Sequence, residues 1–373
     1  MVSKINNLNN LNKIKTNTWR WLNVNELNLG STNIDYDKTY NTQNLKLTNG
    51  NSGEIEIKVD SKNASNTNIF ENMNYGVSKE LLELNINSCN ISTTLQIPDN
   101  VNISEPLILE YTLDNENNTL LDINDIFVGE NSKATVILKY TSKDNTTEGF
   151  HTGTTRIHAK KNSKIKLVKL QDLNDFTKHF DSNVVLLEED SQVENIDLQI
   201  GAKIAVSNVI SELLGNNSNF DIKSIYFGDK DKLIDISSTS NHIGKASISN
   251  MDVKGVVKDN VKKVFKGTLD FKKGSSKSKG SELEQVIILS PTVKVDSALL
   301  LLCTEDDVNG AHAANIGKLD ENKLFYLMSR GFSKKQAEIL IIEGIFEQIL
   351  ANIPDEDLGN YIMEKIKLRI ENE

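Results

Sequence analysis

Cysteine is nearly absent: Cys89 and Cys303 stand far apart and outside any CxxC spacing. Two such residues build neither a disulfide framework nor a self-contained cysteine-rich metal site, and they suit a reducing, intracellular location. Prolines number only 4, so little interrupts a strand. Aromatics make up 6% of the chain against 38% hydrophobic residues, so the expected core is aliphatic. Basic charge is in deficit: 42 Lys and Arg against 52 Asp and Glu leave a net charge of -10, which repels phosphate backbones and argues against nucleic-acid binding. No apolar run reaches the ~18 residues that a membrane span requires. The opening MVSKINNLNNLNKIK also lacks a signal-like apolar stretch. A cytoplasmic protein is expected. The GxxxxGK[ST], GxGxxG, GxSxG and HExxH patterns are missing too, so the chain is not expected to hydrolyse ATP or to be an enzyme by itself.

What is present falls into three textures. Residues 1–75 are Asn-rich and read as an N-terminal segment, partly helical or irregular, in which Trp19, Trp21, Leu22 and Val24 anchor a core. Residues 76–312 turn to short alternating runs such as Ala134, Val136 and Leu138 on one face with Thr135, Ile137 and Lys139 on the other, which is a strand signature. Asn131-Ser132-Lys133, Asn162-Ser163-Lys164, Asp190-Ser191-Gln192, Asn217-Ser218-Asn219 and Ile243-Gly244-Lys245 each look like a turn, spaced 31, 28, 27 and 26 residues apart. That near-constant period predicts stacked coils of a β-solenoid, because each coil covers the hydrophobic edge of the next. A β-sandwich with regular hairpins is the competing architecture, although the Asn-Gly and Asp-Gly pairs of tight hairpins are lacking.

Residues 313–373 switch to helical periodicity. Asp320 caps a first helix carrying Leu324, Phe325, Leu327 and Met328; Ser333 with Gln336 forms a capping box for a second; a third starts at Pro354. This small bundle either caps the last coil or presents a face to a partner. Of the five histidines, His151, His158, His179 and His242 read as surface or satisfied core residues. His151 and His158 are spaced to lie on opposite faces of one strand. His312 differs: small residues flank it where strand text gives way to helix text, leaving an imidazole able to ligate iron or move a proton.

The segment DDVNGAHAANIGKLDENKLFYLMSRGFSKKQAEILIIEGI resembles the C-terminal signature of the SufB/SufD family of iron–sulfur cluster assembly proteins. The likeness rests on Asp307, Val308, His312, Ile316, Gly317, Phe325, Tyr326, Leu327, Ser329, Arg330 and Gly331. Upstream, Val264-Phe265-Lys266-Gly267, Leu289-Ser290-Pro291 and the Asp235–His242 stretch resemble further family segments, and the likeness covers roughly residues 180 to 370. Within the family the chain is most similar to SufD, on Asn17-Thr18-Trp19-Arg20-Trp21-Leu22, its length and its two cysteines.

The resemblance implies a right-handed parallel β-helix with a C-terminal helical domain, paired with SufB and docked to the ATPase SufC. Phe325, Tyr326, Arg330, Ile345 and Phe346 are the candidate SufC-facing residues. It further implies that His312 supplies an iron ligand or proton-transfer group at the SufB interface. The Fe–S cluster would be assembled transiently with SufB, ATP would be bound by SufC, and sulfur would come from a cysteine desulfurase or sulfur carrier. Gly310 stands where many SufD chains carry a Cys, so no thiol role transfers there; Cys303 reads as a buried small hydrophobe. Two cysteines also cannot hold a cluster alone, since clusters need about four ligands, mostly Cys. The alternatives are a degenerate paralogue that keeps the fold without the work, and a solenoid that binds or cleaves polysaccharide.

Overall fold

A computed structural model describes residues 3–5, 8–14, 24–25, 27–30, 32–34, 39–48, 55–60, 68–71 and 73–371. The expected anchors Trp19, Trp21 and Leu22 lie outside the described residues, with the rest of 17–22. Short strands open the chain: β1 Ser3–Ile5, β2 Thr32–Ile34, β3 Leu45–Thr48 and β4 Glu56–Asp60, then helix α1 Lys79–Ser88. Eight strands follow: β5 Ile91–Ile97, β6 Leu107–Leu113, β7 Thr119–Val128, β8 Lys133–Ser142, β9 Phe150–Ala159, β10 Lys164–Asp172, β11 Lys178–Leu187 and β12 Gln192–Gln199. Eight more complete the series: β13 Ile204–Leu213, β14 Asn219–Gly228, β15 Leu233–His242, β16 Ile248–Val257, β17 Lys262–Phe271, β18 Lys279–Ile288, β19 Lys294–Cys303 and β20 Asn309–Gly317. Helices α2 Glu321–Ser329, α3 Lys334–Leu350 and α4 Glu356–Glu371 end the chain.

From β5 onward odd strands join one nine-stranded sheet and even strands the other, and each strand pairs in parallel with the strand two further on. A sandwich of hairpins is thereby excluded, and the chain is a parallel β-solenoid of about eight turns. The repeat seen in the sequence is the corner between an odd and an even strand. Asn100, Asn131, Asn162, Asp190, Asn217, Ala246 and Lys277 occupy it with φ between 53° and 65°, a left-handed conformation that Asn and Asp adopt most easily. Each corner binds the next: the Asn131 amide donates to Lys161 O at 3.1 Å, and the Asn162 side chain donates to Asn131 Oδ1 at 2.8 Å. At every corner but Asn100, where Val101 follows, the next residue is a serine that tucks inward, as Ser163 Oγ donates to Lys160 O at 2.6 Å. The fifth corner is Ala246-Ser247, not 243–245: Ala246 carries the positive φ, and Ser247 is the buried serine bonded to Ser278.

The alternation expected in β8 holds for the lumen, where Ala134, Val136 and Leu138 are buried, yet Ile137 on the other face is buried as well. Parallel sheets are covered on both sides, and here each sheet has its own cover. Helices α3 and α4 lie on the even-numbered sheet: Ile339, Ile342, Phe346, Ile349, Leu358, Ile362 and Ile366 pack against Ile137, Val168, Ile196, Ile225 and Phe227. Each such side chain contributes roughly 1.5–3 kcal/mol. Leu8, Leu11, Val77 and Leu81 cover the odd-numbered sheet at Phe180 and Val206. The tail therefore runs along the flank of the middle coils instead of capping the last one. Lys166 and Lys223 both donate to Asn352, at 2.8 and 2.7 Å. Asp320, and Ser333 with Gln336, cap α2 and α3 as expected. Helix α4 starts at Glu356, with Asp355 accepting from the Leu358 amide at 3.1 Å, so Pro354 stands before the helix instead of in its first turn.

The two ends of the solenoid differ. At the N-terminal end the short strands β3 and β4 pair antiparallel with β6 and β5 and are themselves the outermost strands, and Tyr40, Leu45, Ile55 and Ile57 pack against the lumen core there. At the other end β19 and β20 are the outermost strands of the two sheets.

Candidate functional site

In-register parallel stacking puts equivalent residues of successive coils on one face, one above the other. Residues Val136, Leu167, Asn195, Ile222 and Met251 form such a lumen row, apolar except for the buried Asn195. Continued through the register, the row ends with Glu282 in β18 and His312 in β20. His312 therefore belongs to the lumen-facing row, and it is exposed only because no further coil lies above it. The structure places it inside the last strand, Asn309–Gly317.

The lumen beneath is unusually polar. His151 Nε2 is 2.6 Å from Asp122 Oδ1, and its Nδ1 is 2.6 Å from His179 Nδ1, so the two rings share a proton. Burial, then the neighbouring His151, hold His179 well below the usual imidazole range. Lys169 donates to both oxygens of Asp181 at 2.7 Å and to Asn183 at 2.8 Å. Burial, followed by the charge of Asp181, raises Asp197 to about 6. Nearer the open end, Glu284 is bonded to Lys263 and Ser297.

Glu282 stands apart from this network. It is only 2% exposed, neither carboxylate oxygen has a hydrogen-bond partner, and burial pushes its pKa up to about 8. Its side chain crosses to the opposite sheet at Gly267, where a Cβ would lie 3.1 Å from the Glu282 carboxyl carbon.

The expected residues divide. Phe325, Tyr326 and Arg330 are exposed, with the Arg330 guanidinium 5.3 Å from the Tyr326 ring, and Met328 and Phe332 extend the apolar surface. Phe346 is wholly buried between α3 and the sheet, so it faces inward and not toward a docking partner; Ile345 is half-buried at the edge of that layer. Cys303 is exposed, not buried, because β19 is the last strand of its sheet. A side chain at Gly310 would meet the Leu301 Cδ1 atom at 2.5 Å, so leucine fills the space a thiol would take there. The other four histidines are satisfied: His158 pairs with Glu188 at 2.7 Å, and His242 sits between Ser247 and Ser249 at 2.7 and 2.8 Å. Asp235 lies on the outer face, where it binds Lys266 at 2.9 Å and Asn12 at 3.0 Å and so ties the N-terminal segment to the sheet.

Glu282 and the Asp122–His151–His179 cluster were missed in the sequence. The members of that cluster, and the register neighbour His312 of Glu282, lie one coil away along the chain, so the repeat length, applied to polar residues as well as to turns, is the signal that finds them.

Comparison with known proteins fits this geometry. The family model for the SufBD core domain, "SUF system FeS cluster assembly", matches residues 111–345. The chain is 25% identical over 277 residues to the iron–sulfur cluster assembly protein SufD of Bacillus subtilis (strain 168), covering 74% of this chain and 63% of that protein. It is 26% identical over 243 residues to the SufD of Escherichia coli (strain K12), covering 65% and 57%. The matches thus span less than two thirds of these relatives' own length.

Proposed function

We propose, from the premise that this chain belongs to the SufBD core family, that it is a SufD-like scaffold subunit of iron–sulfur cluster assembly. Its work is done at the open end of the solenoid. There β19 and β20 accept a SufB partner, and His312 is offered from the end of the lumen row to iron or to a proton in transit. The observation that carries the reading is the asymmetry of the ends, one finished by short antiparallel strands with apolar side chains packed on the lumen core, the other left with two full-length parallel strands outermost and an exposed imidazole. Proteins cover or blunt long exposed edges, and a sister solenoid is a cover of matching shape.

The cluster is cargo. This chain contributes one imidazole, while the partner supplies thiolates that two cysteines here cannot provide. Helix α2, with Phe325, Tyr326 and Arg330 outward, is the surface offered to the ATPase SufC, which binds the ATP. Sulfur arrives from a desulfurase or sulfur carrier.

Co-expression of the chain with SufB and SufC from its own cell, followed by affinity capture, tests the reading. A stoichiometric three-protein complex is expected, with H312A retaining the complex and losing cluster formation. No complex, or full cluster formation by H312A, contradicts it.

A further inference from the structure

The geometry points to Glu282 as a second iron ligand, which together with His312 makes a carboxylate–imidazole site for a divalent cation at the open end of the lumen. The inference rests on the proposed role of His312 and extends it to a residue one coil deeper. Glu282 and His312 are register partners on adjacent parallel strands and share the lumen row. Neighbours in that relation stand roughly 4.8 Å apart, a span that two side chains bridge around a cation held by bonds of about 2.1 Å. The ligand types, one carboxylate oxygen and one imidazole nitrogen, suit Fe(II) and its divalent neighbours.

The second observation is the state of the carboxylate. Both oxygens are buried with no donor, whereas its neighbour Glu284 is satisfied by Lys263 and Ser297. Among the described residues, no other carboxylate has both oxygens buried and unpartnered. A buried polar group without a partner is costly, and a cation entering past His312 relieves that cost from the one direction in which the lumen is open. The room for this side chain is specific. The space opposite is kept by Gly267, where a Cβ would crowd the carboxyl group at 3.1 Å, and Leu299 lies beside the same position. Coordination left unfilled by these two ligands falls to water or to the partner subunit's side of the interface.

The test uses the full chain, freed of metal, and Co(II) as a spectroscopic stand-in for Fe(II). Titration of wild type, E282Q and H312A, read by visible absorbance and by calorimetry, is expected to show one site in wild type and at least about tenfold weaker binding in each variant, the scale on which metal sites respond to lost partners. Co(II) raises the melting temperature of wild type but not of E282Q, and the metal-free E282Q melt reports whether that chain is folded. E282Q binding Co(II) as tightly as wild type overturns the inference, as does H312A binding unchanged while E282Q does not. Capture by SufB and SufC is measured alongside. A chain that joins the complex normally but binds no Co(II) even as wild type removes the site while leaving the subunit reading intact. Normal Co(II) binding without complex formation upholds the site and sinks the subunit reading.

Discussion

Individual residues record how this lumen tolerates polarity. His242 lies in the lumen between two serine hydroxyls and stacks on Phe271 with ring centroids 4.5 Å apart, and burial lowers its pKa to about 4. In the unfolded chain an imidazole titrates near ~6.5, so between about pH 6.5 and 4 the unfolded state takes up a proton that the folded state refuses. This residue's contribution is complete above that window and is lost on acidification, up to about 3 kcal/mol. H242Q removes this share of the pH dependence. Urea midpoints at pH 7.5 and 4.5 are expected to differ less in the variant than in wild type, and an equal difference contradicts the assignment. At the same scale, Arg369 donates to Asp229 at 2.7 Å and lies 4.6 Å from the Phe227 ring. Lys232, 3.0 Å from Asp229, takes over part of the charge when Arg369 is cut to Ala, so the loss is about 2 kcal/mol. A chemical-denaturation midpoint that does not move would show that α4 is held by its apolar face alone.

Elements explain which parts of the fold were readable in advance. Four corners were legible because a left-handed residue followed by a buried serine leaves an Asn-Ser or Asp-Ser signature, at 131, 162, 190 and 217. Where Ala246 takes that position the signature disappears, and the assignment slipped by three residues. The helices were legible from caps and periodicity, but their docking face was not. In α3 apolar side chains circle most of the helix, so Phe346 looked as available as Phe325. The structure separates them at 0% and 75% exposure. F346A is expected to cost about 3–5 kcal/mol by leaving a cavity between α3 and the sheet. F325A is expected to stay within about 0.5 kcal/mol of wild type and to weaken capture of SufC. Equilibrium unfolding and a binding assay on both variants check this, and the reverse order would place α2, not α3, in the core. Polar lumen pairs were illegible because sequence patterning tracks apolar residues within one strand, whereas His151 finds His179 across a whole coil.

At the scale of the molecule the solenoid is a stack with one finished end. Its flanks are covered on both sheets, its first coil ends in the short antiparallel strands β3 and β4, and its last strands carry Cys303 and His312 in the open. No helix among the described residues is long and apolar enough to cross a membrane. An unfinished end on an otherwise covered stack gives this chain its proposed purpose, which is to be completed by another subunit. Hydrogen–deuterium exchange, on the chain alone and mixed with the proposed SufB partner, measures this most directly. The account predicts that backbone amides of 294–303 and 309–317 exchange faster than those of the inner strands in the free chain and become protected on mixing. Protection of these strands in the free chain equal to that of the inner coils, or no change when the partner is added, would contradict it.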